Sequence, residues 1–134
     1  SYDASKYYTQ KRLKEANYKI LIDLHRDSVK KNISLLEVNN KRYARVLFVL
    51  AKKNKNYKEN EVFVKNLNSR INKKVKNLSR GIMNRTDVIF NQDLSSHAIL
   101  LEVGGVDNTI EEVNNTLEVI ANVLNEYINE ELNG

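Results

Sequence analysis

The order of periodic segments in this 134-residue chain predicts an α/β domain. Three observations carry that expectation. Apolar runs at 20–24 and 98–103 are short and nearly continuous, as strands within a sheet require. Residues 57–78 and 110–128 repeat apolar side chains at helical spacing. Between them a turn-prone "NNKR" joins two strand-like runs.

Taken in order, residues 4–16 read as a short helix with Tyr8, Leu13 and Ala16 facing inward. Residues 18–24 form a strand, apolar from Ile20 to Leu24 except at Asp23, which suits a central position covered on both faces. "ISLLEV" and "YARVLFVLA" pair as a hairpin over 33–51. The helix over 57–78 turns Val64, Leu67, Ile71, Val75 and Leu78 inward, with Lys58, Lys65, Arg70, Lys73, Lys74 and Lys76 mainly on its polar surface. Gly81 can end it. Residues 98–105 make a second buried strand, stopped by Gly104 and Gly105. Thr109 and Glu112 have capping-box spacing for a last helix, whose core face is Ile110, Val113, Leu117, Ile120, Leu124 and Ile128.

No linker or repeat divides residues 1–134, so one domain is expected. No run of about 18 apolar residues and no signal-peptide pattern is present. That fits a cytosolic protein or a piece separated from its targeting segment. Cysteine is absent, which excludes disulfides, thiolate metal sites and a cysteine nucleophile. Charge is divided: residues 1–85 hold all 22 Lys and Arg, whereas residues 86–134 hold none and carry 10 Asp and Glu. Either the two parts neutralise one another, or the basic part meets an anionic polymer such as teichoic acid or nucleic acid. Against nucleic acid, the basic helix lacks interleaved aromatics, and no known nucleic-acid motif is found. Its broad polar face argues against membrane insertion.

Ligands of such sheets bind beyond the carboxyl ends of the strands. His25 and Glu102 stand there. A neutral imidazole on a strand end is a good zinc ligand, and a carboxylate among Leu100, Leu101 and Val103 is suited to carrying a proton. A lone histidine is more often a hydrogen-bonded structural residue, and on the residues alone both readings stand. His97, beside Ser95 and Ser96, reads as a hydrogen-bonding loop residue. HExxH, the P-loop, GxGxxG and GxSxG are all missing.

"IDLHRDS" (22–28), "ARVLFVLAKKN" (44–54), "FNQDLSSHAILLEVGG" (90–105) and "NTIEEV" (108–113) resemble the stage II sporulation protein P family. The likeness covers nearly the whole chain and includes the opening "SYDASKYYTQKRL". It implies a peptidoglycan hydrolase of sporulation and engulfment that cleaves the N-acetylmuramoyl-L-alanine amide, in a family also associated with cutting peptide cross-links. The implied fold is that of the zinc-dependent N-acetylmuramoyl-L-alanine amidases. That fold is a mixed sheet with helices on both faces. The resemblance makes His25 a zinc ligand and Glu102 the catalytic carboxylate. Arg26 and Asp27 complete HRD and would orient the ligand or the peptide. Asn91 and Gln92 match the family's NQD without an assigned role.

The family also carries an upstream segment of the form THTTE, which supplies another histidine and a glutamate as zinc ligands. This chain contains no such motif. The resemblance therefore implies the C-terminal portion of a catalytic domain, lacking the N-terminal strand and helix and inactive alone. An open sheet edge and uncovered apolar surface in such a portion predict self-association, or a C-terminal helix that shifts to cover the gap. The parent would act on the extracytoplasmic face of the mother-cell or septal membrane, with sporulation proteins D and M as partners. The alternative is a non-catalytic basic module.

Overall fold

A computed structural model describes Tyr7 and residues 20–133, and the helix expected over 4–16, Tyr7 apart, lies outside them. The chain runs β1 (Leu21–Asp27), α1 (Lys31–Ser34), β2 (Leu35–Val38), β3 (Lys41–Ala44), β4 (Val46–Ala51), α2 (Tyr57–Lys74), β5 (Ser79–Arg85), β6 (Ala98–Gly105) and α3 (Ile110–Tyr127). A short 3-10 turn, Gln92–Leu94, precedes β6, and a π-type turn, Ile128–Leu132, follows α3. The architecture is α/β. Four strands form a mixed sheet in the order β1-β6-β4-β5, and β2-β3 stand apart as a two-stranded ribbon. The outer pairs β1–β6 and β4–β5 are parallel, while β4–β6 is antiparallel.

The core lies on one side of this sheet. Alternation sends Val46, Phe48 and Leu50 of β4 and Ile99, Leu101 and Val103 of β6 to the same face. There they meet Phe63, Val64, Leu67 and Ile71 of α2, and Ile120, Val123 and Tyr127 of α3. Phe63 and Tyr127 touch edge to face, with centroids 5.1 Å apart, so the two long helices pack against each other as well as the sheet. The opposite face carries Val49, Leu100 and Glu102 by the same alternation. No helix among the described residues is long and apolar enough to cross a membrane.

Several elements depart from the sequence reading. β1 begins later than expected and, among the described residues, pairs only with β6, so it is an edge strand. Leu24 is accordingly 54% exposed. Its apolar run arises because Ile20 and Ile22 alone pack on the core. Continuous hydrophobicity therefore overstated the cover on this strand.

The hairpin is also shorter than expected. Asn39 and Asn40 both have positive φ, 51° and 65°, which makes the two-residue primed turn that twists with its strands. After Ala44, however, the ladder ends. The Arg45 amide donates to Ser34 O at 2.7 Å and its carbonyl accepts from the Gly104 amide at 2.8 Å, so β4 passes into the main sheet.

Helix α2 stops at Lys74 rather than reaching residue 78, and Leu78 is buried from the turn that follows. Gly81 does not end the helix. At φ +108° it sits inside β5, a strand without an apolar signature that pairs only at the edge of the sheet.

On α3 the capping box is present: the Thr109 hydroxyl accepts from Glu112 N at 3.1 Å, and the Glu112 carboxylate accepts from Thr109 N at 3.1 Å. Of the expected core face, Ile120 is buried and Val113, Leu117 and Leu124 pack against the core, whereas Ile110 is 75% exposed; the most deeply buried positions also include Glu112, Thr116, Val123 and Tyr127. The stripe is therefore widened toward two polar residues that are satisfied inside. Thr116 donates to Ala44 O at 2.6 Å, and Glu112 is fully hydrogen-bonded.

Candidate active site

The sheet pairing builds the site. His25 on β1 and Glu102 on β6 are direct partners in the parallel ladder. Side chains in register on neighbouring strands point to the same face, so these two stand side by side on the face away from α2 and α3. Period-2 alternation adds Asp23 to that face. Its Oδ1 lies 2.9 Å from His25 Nε2 and fixes the direction of the ring.

Just beyond, the register shifts: Asp27 pairs with Gly105, and Gly104 takes φ +66° in the extra position on β6. Asp27 Oδ1 accepts from Ser28 N at 2.7 Å, and its Oδ2 accepts from Arg80 Nη1 at 2.9 Å. The Asp27 and Arg80 side chains are mostly shielded, at 19% and 17% exposure.

Glu102 is half-buried, and its Oε2 has no hydrogen-bond partner among the described residues. Burial raises the affinity of its carboxyl for a proton, and the Asp27 and Asp23 charges add to that rise. His25 and Arg80 pull the other way without cancelling it. The result is a carboxyl that holds a proton more readily than an ordinary glutamate, with one oxygen unengaged. Such a group can accept a proton and return it.

The remaining residues named from the sequence lie elsewhere. Arg26 points to the other side of β1, where Nη2 donates to Gly105 O at 2.9 Å and to Asn108 O. It pins the turn after β6. Gln92 is completely buried. Its amide nitrogen donates to Val49 O at 2.8 Å and its oxygen accepts from Ala51 N at 2.9 Å, replacing a strand partner at the end of β4. Asn91 adopts a left-handed conformation, φ 62°, and lines a cavity of about 130 Å³ beside Leu21, Ile22 and Asp23. His97 is lowered in proton affinity by burial and packs edge-on against Phe63, away from His25.

Two residues of the site escaped the sequence reading. Asp23 was visible in principle, since alternation in "DLHRD" places Asp23, His25 and Asp27 on one side. Arg80 carried no local signal, for it comes from 53 positions away.

Among the described residues, no group of three or more His, Asp or Glu side chains is arranged to hold a metal ion. A catalytic zinc takes about three protein ligands. His25 fits as one, and the described residues do not complete such a centre by themselves.

The profile described as stage II sporulation protein P matches residues 1–125 of the chain. Stage II sporulation protein P of Bacillus subtilis (strain 168) is 38% identical over 131 residues. That alignment covers 94% of this chain and 33% of the relative, so the chain spans about a third of the relative's length. The segments aligned include both strands that carry His25 and Glu102. The chain belongs to the stage II sporulation protein P family.

Proposed function

We propose that this chain forms part of a peptidoglycan hydrolase of sporulation that cleaves the amide between N-acetylmuramic acid and L-alanine. The observation that carries the proposal is Glu102 in register with His25, half-buried and with one oxygen unengaged. In this reading His25 is one ligand of a zinc ion whose other ligands come from elsewhere in the protein. When bound, zinc would supply a Lewis acid and an activated water. Glu102 takes the proton released on water attack and delivers it to the leaving L-alanine amine. Asp23 holds the His25 ring in place.

The same reading puts the domain on the extracytoplasmic side of the mother-cell or septal membrane, facing the wall, with sporulation proteins D and M as its partners. Family membership is what supports those assignments.

The test uses full-length protein and purified sacculi, reading release of stem peptides with a free L-alanine amino terminus. Glu102→Gln keeps the shape and removes the proton carrier, so turnover should fall about a hundred- to ten-thousand-fold. Zinc content and binding to sacculi should hardly change. His25→Ala should lower zinc content and turnover together. Undiminished cleavage by the Glu102→Gln protein would make that residue a strand component only. No stem-peptide release by the unsubstituted protein would remove the amidase reading.

A further inference from the structure

Arg80 reaches the face shared by His25 and Glu102 through its bond to Asp27, and its hydrogen-bonding capacity is mostly unused. A guanidinium carries five N–H groups in a planar fork. Among the described residues, Arg80 makes a single side-chain hydrogen bond, from Nη1 to Asp27 Oδ2 at 2.9 Å. Glu102 lies within range of its charge.

The backbone is built to put it there. Val46 pairs with Ser79, and Phe48 with Ile82, so β5 holds one extra residue between the two pairs. Gly81 occupies that bulge at φ +108°, and a Cβ there would meet nothing within 4 Å. Glycine is therefore required for its conformation and not for space. Ser79 turns toward α2, where its hydroxyl bonds Asn68, and Ile82 packs on the same core. Arg80, between them, is sent to the opposite face. Bulges commonly re-aim a side chain in this way.

We propose that Arg80 is a specificity-determining residue of the hydrolase, whose free guanidinium edge receives a carboxylate of the substrate beside Glu102. The inference rests on the amidase reading above. Peptidoglycan stem peptides carry free carboxylates close to the L-alanine amide. A guanidinium fork matches a carboxylate in both charge and geometry, so the donors of Arg80 that Asp27 does not use suit such a substrate. Asp27 takes one N–H and holds the fork in place, leaving the other donors for the ligand.

The experiment compares full-length protein carrying Arg80, Arg80→Gln or Arg80→Lys on two soluble muropeptides. One has a free side carboxylate on the residue after L-alanine, and the other has that group amidated. A charge-assisted contact of this kind is worth about ten- to a hundred-fold. Arg80→Gln should raise KM for the acidic substrate by that factor, leave kcat within a few-fold, and barely alter KM for the amidated one. Arg80→Lys keeps the pair with Asp27 but lacks the fork, so it should lose much of the preference for the acidic substrate while melting like the parent. Equal losses on both substrates, or an unchanged preference in Arg80→Lys, would overturn the assignment and leave Arg80 as the partner of Asp27 only. If the unsubstituted protein cleaves neither substrate, the amidase reading itself has failed, and this proposal falls with it.

Discussion

Glu112 is the only fully buried charged side chain among the described residues, and it shows how a single acid can be held inside a fold. Burial pushes its carboxyl toward the protonated form. Hydrogen bonds from Asn108, the Thr109 amide and Arg42, with the nearby Lys31 charge, outweigh that and bring it down to about 2. Its Oε1 accepts from Asn108 Nδ2 at 3.0 Å, while Oε2 accepts from Arg42 Nε at 3.1 Å and lies 3.5 Å from Lys31 Nζ. A folded-state pKa below the unfolded one contributes stability above the unfolded value, and that contribution is lost as pH falls toward the folded value. Glu112→Ala should therefore cost roughly 3 kcal/mol near neutral pH, because two cations and an amide lose their partner. The gap between the two proteins should narrow as urea melts are taken from about pH 5 down to about pH 3. A gap independent of pH would mean that the ionised form is not what stabilises the fold.

At the level of elements, the end of β6 joins the site to the helix behind it. Gly104 has φ +66°, and a Cβ there would lie 2.5 Å from Asn108 Oδ1 and 2.7 Å from the Ala44 Cβ. Asn108 cannot yield freely, since its Oδ1 accepts from Gly105 N at 2.7 Å and its Nδ2 donates to Glu112. Gly104→Ala combines a disfavoured backbone conformation with a clash against fixed atoms, so a loss of about 2–4 kcal/mol is expected. Because Glu102 is two residues away, the proposed hydrolysis, measured in full-length protein, should fall along with the melting temperature. A melting temperature unchanged within error would show that the bulge can relax, contrary to the close packing described.

Across the whole molecule, part of the divided charge is paired within the fold. Arg70 of α2 lies 2.7 Å from Glu130, 3.1 Å from Glu131 and 3.9 Å from Glu126, and Lys74 pairs with Glu126. Arg42 and Lys31 meet Glu112. The basic first part and the acidic last part thus clasp one another between α2 and the end of α3. Binding to teichoic acid or DNA should be weak and should disappear near physiological salt if these pairs occupy the basic surface that would otherwise meet a polyanion and salt screens the rest. Replacing Glu126, Glu130 and Glu131 together by Gln should release Arg70 and Lys74 and strengthen that binding several-fold at low salt. Submicromolar binding by the unsubstituted protein at physiological salt would instead favour a basic module as the working surface.

What the sequence determined alone was local. The strand over 98–105, the Thr109–Glu112 cap and the Asn39–Asn40 turn are each encoded within a few residues, so periodicity and turn chemistry were enough to find them. The pairing of His25 with Glu102 was legible only as two polar groups beside apolar runs, made specific by the family resemblance. Tertiary structure decided the rest. Whether an apolar run lies at the centre or the edge depends on its neighbours, which is why β1 leaves Leu24 in solvent. β5 exists because β4 offers it a ladder, not because "SRGIMNR" favours a strand. The inward face of α3 was set by partners for Glu112 and Thr116 on distant strands and turns. Arg80 joins Asp27 across the sheet for the same reason: long-range pairing and one bulge select a side-chain direction that no local pattern specifies.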